Sequence, residues 1–559
     1  MLSLGINYSQ MHDSSACITQ DGKVIFAVAE ERLSRLKHDS RFPERAIRAC
    51  LDFARVKPSD LDFICFGWPR VAIGTRHDIK CMLTGAHPGG YVNVASMLKR
   101  YASFTRQKNG EKSFIDSFGP TRAQFRFVEH HLAHAISAYA YSGFDDAAVL
   151  VIDGRGAWEA TSLWHGKNGA IEHVWTIPWP NSLGLLYAQF TFYLGFTPYS
   201  DEWKVMGLAP YGEPGVDLKD FVSFQDGAYR VATRLLLGRN GTAPWGEIEK
   251  RLGPHRIPET DIDGRHKNIA YAVQDACEEA MLRLAKAAVE RTGSRNLCLA
   301  GGVALNSKAN GKILSTQTVE RIFVQPAASD DGTCLGAALA PYLEKGAKLP
   351  VHAMRHAYFG PETGDAEVEK TLATYKIRAA RVQDPAATAA GLLEQGKILG
   401  WYQGRMEFGP RALGSRSILA DPRDPEMTIK VNNAVKFREW WRPFAPSILR
   451  EVAGEFIESA TDSPFMILTA QVRQEKRSVI PAVTHVDGSA RPQTVEKDVN
   501  PLYWRLIREF GDKTGVPVVM NTSFNLRGEP IVASPTDAIR TFYSSGMDAL
   551  VIGSYLVEK

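Results

Sequence analysis

At 559 residues the chain is too long for one hydrophobic core, so two or more domains are expected. A formal net charge of +4, with 44% apolar and 23% charged residues, fits a soluble globular enzyme and argues against a dedicated nucleic-acid or membrane surface. The seven scattered cysteines form no C-x-x-C pair, which argues against a disulfide framework and a zinc ribbon. The N-terminal stretch lacks a basic region and a long apolar run, and no apolar run reaches about 18 residues, so neither a signal peptide nor a membrane span is expected, and a reducing cytoplasm is the default compartment.

Taken in order, residues 2–7, 14–19 and 24–29 read as strands, with a tight turn at Asp21-Gly22 and a polar loop carrying His12 and Asp13. The charged runs Glu30-Glu31-Arg32 and Arg35-Leu36-Lys37-His38 follow. Residues 46–54 read as a helix and 61–67 as a strand; residues 71–106 carry no readable pattern. His130-His131-Leu132-Ala133-His134 opens a helix with Glu129 near its N-terminal end. At a spacing of i and i+4, His130 and His134 share a face and can hold one metal ion, whereas His131 points elsewhere. Spacing alone is equally compatible with a polar helix end.

Residues 147–152 form an apolar strand ending at Asp153. Strands at 160–164 and 171–177 follow, with a turn at 166–169. This repeats the opening strand, polar loop, strand, turn, strand, and so points to an internal duplication. The class expected is α/β, with an N-terminal actin-like domain of duplicated ribonuclease-H-like type. Residues 269–291 form an amphipathic helix that Gly293 ends. A strand at 297–300 runs into Gly301-Gly302 and Asn306, and a strand at 321–324 leads to Asp330 and a helix over 333–343. Strand, glycine pair and helix N-terminus can receive a phosphate or ribose, or simply make a turn. The pattern breaks at 346–350, placing a domain boundary near residue 355, hence domains 1–354 and 355–559.

Beyond the boundary, residues 385–394 read as a helix and 398–403, 516–520 and 549–552 as strands. Arg411, Lys436, Arg442, Arg491 and Arg527 lie in Gly-, Pro- or Ser-bearing stretches, with Asn521 and Ser523 nearby. Guanidinium forks bind phosphate bidentately and Lys adds a point charge, so a phosphate site is expected. The aromatic run Trp440-Trp441-Arg442-Pro443-Phe444 argues against plain surface charge. In the first domain, His130, His134, Asp153 and Asp330 make a mixed imidazole and carboxylate set that suits Fe, Mn or Zn.

The runs His12-Asp13-Ser14-Ser15-Ala16, Glu30-Glu31-Arg32, His130-His131-Leu132-Ala133-His134, Val205-Met206-Gly207-Leu208-Ala209, Ala300-Gly301-Gly302-Val303-Ala304-Leu305-Asn306, Gly409-Pro410-Arg411-Ala412-Leu413-Gly414, Arg438-Glu439-Trp440-Trp441-Arg442-Pro443-Phe444 and Asn521-Thr522-Ser523-Phe524-Asn525 resemble the O-carbamoyltransferase family over essentially the whole chain. The resemblance implies a TsaD-like domain followed by a YrdC-like α/β domain. It implies formation of carbamoyl adenylate from carbamoyl phosphate and ATP with Mg(2+) in the second, then carbamoyl transfer to a hydroxyl of a small natural-product or sugar acceptor in the first. By motif, His130, His134, Asp153 and Asp330 correspond to ligands of Fe(2+) or another divalent metal, and His12 and Lys37 to groups near the acceptor and carbamoyl. Gly301, Gly302 and Asn306 correspond to adenylate contacts. Arg411, Lys436, Arg491, Asn521 and Ser523, joined by Arg442 and Arg527, correspond to the carbamoyl phosphate and ATP site. No nucleic acid or membrane partner is implied, and a homodimer is allowed. The alternatives are threonylcarbamoylation of tRNA, which the small net charge opposes, hydrogenase maturation, which the missing C-x-x-C pairs oppose, and a non-catalytic nucleotide-binding protein, which leaves the cationic site without purpose.

Overall fold

The computed structural model describes residues 1–9, 13–69, 110–225, 227–237, 245–344, 346–459 and 462–559; His12 and the patternless stretch 71–106 lie outside them. The chain divides into two compact units, one formed by Met1–Ile25 and Ser40–Met354, the other by Phe26–Asp39 and Arg355–Lys559. The passage to the second unit at residue 355 lies where the pattern breaks, but the inclusion of residues 26–39 in that unit has no local sequence signal.

The first unit is built on two five-stranded sheets. In one, β1 (Leu2–Asn7), β2 (Ser15–Gln20), β3 (Lys23–Ala29), β4 (Phe63–Phe66) and β5 (Gln124–Phe127) are arranged in the order β3-β2-β1-β4-β5, the last four residues of β3 being grouped with the second unit. In the other, β6 (Asp146–Ile152), β7 (Glu159–Lys167) and β8 (Ala170–Pro178) combine with two later strands. A short ribbon of β9 (Val222–Gln225) and β10 (Ala228–Val231) intervenes before those strands, β11 (Asn296–Ala300) and β12 (Arg321–Val324). The second sheet has the order β12-β11-β6-β7-β8, the same arrangement read from its other edge. The orientations repeat as well: β1 is antiparallel to β2 and parallel to β4, as β6 is antiparallel to β7 and parallel to β11. The duplicated order is that expected of an actin-like domain.

The central strands are buried along their length because helices cover both faces. Ala46, Ile47, Cys50 and Leu51 form the apolar face of helix Glu44–Ala54, which packs on β2. Helix Gly264–Thr292 packs on β6. It begins five residues before the periodic stretch because the Asp263 carboxylate caps it, accepting from the His266 amide at 2.9 Å, and it ends at Gly293 with φ +74°. The turn expected at 166–169 is shorter than its sequence signal. Strand β7 continues through Gly166, and the chain reverses at Asn168-Gly169, where both residues take positive φ.

Helix Thr333–Glu344 lies against both β1 and helix His130–Tyr139. Glycines permit the approach. A Cβ on Gly336 would fall 1.8 Å from the Ala133 carbonyl oxygen, and one on Gly5 would fall 1.9 Å from that of Cys334.

The second unit holds a mixed eight-stranded sheet. Its strands, in chain order, are β13 (Ala380–Arg381), β14 (Leu399–Tyr402), β15 (Arg416–Ala420), β16 (Ala445–Leu449), then the separate pair β17 (Ala470–Gln471) and β18 (Ser489–Ala490), followed by β19 (Gln493–Val495), β20 (Val518–Ser523), β21 (Ala549–Ile552) and β22 (Tyr555–Glu558). The sheet order is β13-β22-β21-β14-β15-β20-β16-β19. Alternation of side chains splits the core in two. Leu399, Trp401, Leu419, Val519, Ala549 and Val551 pack under helices Pro385–Glu394 and Pro501–Thr514. Ile418, Ile448, Val518, Met520, Leu550 and Ile552 face the other core. Strand β20 begins two residues later than the apolar run at 516–520 and ends at Ser523, so Asn521 and Ser523 are strand residues. Among the described residues no helix is long and apolar enough to cross a membrane.

The Gly336→Ala substitution forces a methyl into the Ala133 carbonyl. Overpacking of this kind costs about 1–3 kcal/mol or more. The expected outcome is a lower midpoint for the unfolding of the first unit in a calorimetric scan, with the second unit's transition unmoved.

Candidate metal centre and anion site

In the first unit the His-bearing helix starts where Glu129 turns its carboxylate onto the amides of His131 (3.3 Å) and Leu132 (2.8 Å), which have no helical acceptor. The helical repeat then directs His130 and His134 toward Asp153, just past β6, and Asp330, in the single turn before helix Thr333–Glu344. His130 Nε2 lies 3.4 Å from Asp153 Oδ2 and 3.6 Å from Asp330 Oδ1, and His134 Nε2 lies 3.9 Å from the same Asp330 oxygen. One ligand atom from each of the four lies within 4.8 Å of the others, and all four residues are buried.

His130 Nδ1 sits 3.1 Å from the Gly67 carbonyl oxygen. That oxygen only accepts, so the proton of the neutral ring is on Nδ1 and the Nε2 lone pair faces two carboxylates. His130 Nε2, His134 Nε2 and Asp330 Oδ2 are buried with no hydrogen-bond partner. Burial works against a charge on His130, but Asp330 and Asp153 outweigh it and hold its pKa well above the ordinary value. Burial, with the neighbouring His130, pushes His134 down to about 4. Burial opposes ionisation of Asp153 as well, yet His130 beside it, with His134 and His131, keeps it well below the carboxylate range. Converging lone pairs with so few protons between them are what a divalent cation satisfies, and two imidazoles with two carboxylates favour Fe, Mn or Zn over Ca or Mg. This buried cluster can bind a metal.

Its surroundings are built to hold it. Gly302 donates its amide to Asp153 Oδ1 at 3.1 Å, and Gly301, at φ +89°, passes so close to β6 that a Cβ would lie 2.3 Å from the Ile152 carbonyl oxygen. Asn306 caps helix Ser307–Ser315 through the Ala309 amide (3.1 Å) and exchanges hydrogen bonds with Gln274, both at 3.0 Å. The ring of Trp68 stacks on His130 at 4.1 Å. His131 turns away, its Nδ1 2.7 Å from Ser162 Oγ. One neighbour escapes sequence reading. Glu159, buried at the start of β7, is pushed up to about 9 by burial and by the Glu129 carboxyl.

In the second unit, Arg411, Arg438, Arg442, Arg491 and Lys436 form one electrostatic group. Burial pushes Arg491 well below its usual value, helped by Arg411 and Arg442; burial pushes Lys436 down, helped by Arg438 and Arg442. Arg438 is likewise depressed by burial and by Arg442, and burial alone holds Arg411 at about 10. Among the described residues, a carboxylate acting on this group is Glu439, 3.4 Å from Arg442. Arg411 Nε and Arg491 Nε are buried without a hydrogen-bond partner. Lys436 ends a π-helical turn, Asn432–Lys436, and its ammonium donates to the Ser523 carbonyl, to Asn525 Oδ1 (2.9 Å) and to the Asn525 carbonyl (3.0 Å). Asn521 donates to Ser447 Oγ (3.0 Å) and Gln493 Oε1 (3.2 Å). Cations gathered with little compensating acid among the described residues could receive a multiply charged anion.

Of the residues singled out by sequence, the structure brings together His130, His134, Asp153 and Asp330, with Gly301 and Gly302 beside them, and separately Arg411, Lys436, Arg442 and Arg491. Ser523 touches Lys436. Arg527 is exposed beyond Asn525, and Lys37 is exposed on the segment that belongs to the second unit. Arg438 was not singled out; its place in the Arg438-to-Phe444 run was the available signal.

A carbamoyltransferase N-terminus model matches residues 3–339 and a carbamoyltransferase C-terminus model matches residues 390–559. Nodulation protein NolNO of Sinorhizobium fredii is 41% identical over 564 aligned positions, covering all of this chain and 80% of that protein. Nodulation protein NolO of Bradyrhizobium diazoefficiens is 43% identical over 77% of this chain and 79% of that protein. Among solved structures, HypF of T. kodakarensis aligns with a TM-score of 0.34 at 16% identity, covering 62% of this chain and 48% of that one. Matched in both parts and related along its whole length to the nodulation proteins, the chain belongs to the carbamoyltransferase family of enzymes.

Proposed function

We propose that this carbamoyltransferase is an ATP-dependent O-carbamoyltransferase that activates and transfers the carbamoyl group at two sites. The observation that carries the proposal is the group of Arg411, Arg438, Arg442, Arg491 and Lys436, its lysine buried and its arginines half-buried, with little acid beside it among the described residues. Such a group costs stability unless an anion of several charges enters it, and carbamoyl phosphate with ATP and Mg(2+) supplies that charge. In this reading the second unit is the YrdC-like domain. Carbamoyl phosphate, ATP and water give carbamoyl adenylate, phosphate and pyrophosphate. Arg411 and Arg491 hold the phosphoryl oxygens by their forks, and Lys436, fixed by Ser523 and Asn525, sets a point charge beside them. Asn521, held by Ser447 and Gln493, presents its amide oxygen, buried without a donor, to the substrate.

The first unit is then the TsaD-like transfer domain. His130, His134, Asp153 and Asp330 hold the metal, with iron the ion proposed, and when bound it supplies Lewis-acid stabilisation of oxygen-borne charge. The amide of Gly302 fixes Asp153, and the Gly67 carbonyl fixes the tautomer of His130. The acceptor hydroxyl oxygen forms a bond to the carbamoyl carbon, the bond to AMP breaks, and the hydroxyl proton goes to a base. His12 is proposed as that base, imidazole being the side chain whose unperturbed pKa, about 6.5, lies nearest neutrality.

Pyrophosphate release from ATP is expected with carbamoyl phosphate and not with bicarbonate plus threonine; release with only the latter pair assigns the chain to threonylcarbamoylation instead. Lys436→Ala should lower that release at least about 100-fold, as loss of a positioned charge does. His130→Ala, or treatment with a chelator, should leave release within about twofold while abolishing product formation on a hydroxyl acceptor. Loss of both steps in His130→Ala contradicts the division into two sites.

A further inference from the structure

The loop that presents Arg411 is held almost entirely through its backbone. Glu407, only 3% exposed, takes the amides of Leu413 (2.8 Å), Ser415 (2.7 Å) and Arg416 (3.2 Å) on one carboxylate oxygen. The Leu413 carbonyl accepts from Tyr358 Oη (2.7 Å) and Gln493 Nε2 (2.8 Å), and the Gly414 carbonyl from the Trp401 indole (2.9 Å). These ties all lie on the C-terminal side of Arg411. On its N-terminal side the Phe408 amide donates to the Ala357 carbonyl at 2.7 Å, and beyond that anchor Arg32 donates through Nη2 to the Gly409 carbonyl at 3.1 Å. Gly409 has φ +113°, a conformation that needs glycine. A glycine hinge two residues before the working cation is the place where the loop would otherwise swing.

Arg32 comes from a part of the sequence remote from the loop, yet it is prepared for this contact. It is 8% exposed, and its other guanidinium nitrogen pairs with Glu31 Oε1 at 2.7 Å. Glu31 in turn accepts from the His38 amide at 2.9 Å. Arg35, in the left-handed conformation at φ +62°, pins the same segment. It donates to the Ile531 (2.6 Å) and Pro530 (2.8 Å) carbonyls and pairs with Asp537 at 3.3 Å. The segment therefore offers a clamped guanidinium to a single carbonyl oxygen, and a donor so restrained transmits its position rather than adapting to the loop.

We propose that Arg32 is a positioning residue for the anion site: by holding the Gly409 carbonyl it fixes the hinge before Arg411 and so sets where the Arg411 guanidinium meets a phosphate. This rests on the assignment of Arg411 to the phosphate site. The test uses the full-length chain and its variants Arg32→Met, Arg411→Met and the double variant. Pyrophosphate affinity is read by titration calorimetry and the KM for carbamoyl phosphate by pyrophosphate release. Arg411→Met is expected to weaken pyrophosphate binding more than about tenfold. Arg32→Met should weaken it about tenfold, raising KM more than it lowers kcat, and should add nothing in the double variant, because both changes remove the same contact. Binding by Arg32→Met equal to the parent, or losses that multiply in the double variant, overturns the proposal while leaving the phosphate site standing. Unchanged binding in Arg411→Met removes the phosphate site and the proposal with it. If Arg32→Met fails to give the parental circular dichroism and melting profile, Arg32→Lys, which keeps the charge and a donor, takes its place in the cycle. Its expected loss is about two- to fivefold, again absent on the Arg411→Met background; no loss on the parent background overturns the proposal.

Discussion

Uncompensated charge in a buried place is the constraint on which both units of this protein depend. A carboxylate or guanidinium removed from water costs several kcal/mol unless a partner of opposite sign meets it. The first unit accumulates acceptors, with Asp153 and Asp330 against two imidazole lone pairs; the second accumulates donors, with four arginines and a lysine against Glu439. Each unit could therefore be completed by something that is not protein, and the sign of the deficit says what would suit it: a cation in one case, an anion in the other. The surrounding architecture exists to hold these groups against their own repulsion. That is why the metal cluster is backed by glycine contacts with almost no slack, and why the Arg411 loop is held by so many carbonyl and amide bonds.

Much of this was legible in the sequence because the relevant signals are local. The repeated strand, loop, strand, turn, strand pattern is written in short apolar runs, and the duplicated sheet order follows from it. The i, i+4 histidines declare a shared helix face, and Asp153 and Asp330 stand directly after strand-like stretches, where turns deliver side chains to one edge. The cationic residues were visible because glycine and proline surround them. What was not legible depends on contacts between distant segments. Nothing near Glu159 signals that Glu129 will sit beside it. Gly301 reads as a phosphate loop, but the structure gives it a steric duty, passing β6 closely enough to exclude a side chain. Strand β20 extends beyond its apolar run because Asn521 is buried by partners on β16 and β19 and Ser523 pairs with Ser417 on β15, and periodicity cannot see such partners.

The two units also differ in how they tolerate change. Around the metal cluster, geometry is set by steric contact, at Gly336 on Ala133 and Gly301 on Ile152, where a single added carbon has nowhere to go. Around the anion site, geometry is set by hydrogen bonds to backbone, which constrain the path of the loop but leave the side chains that project from it replaceable. Substitution is therefore expected to act on the first unit through folding and on the second through affinity.

The membership of residues 26–39 in the second unit has a consequence for how the protein is made. During synthesis this segment emerges well before the rest of the unit it completes, which begins to appear only at Arg355. At about 5–20 residues per second, the roughly 300 residues between them take on the order of 15–60 s. Throughout that time the first unit can close around a gap in its own chain, with Arg32 and Arg35 waiting for carbonyls that have not yet been translated. The C-terminal unit is thus not a module that could be appended to or detached from the chain at residue 355. One piece of it is already committed near the N-terminus, and the order in which the ribosome delivers the two pieces makes the docking of that segment a late event in biogenesis.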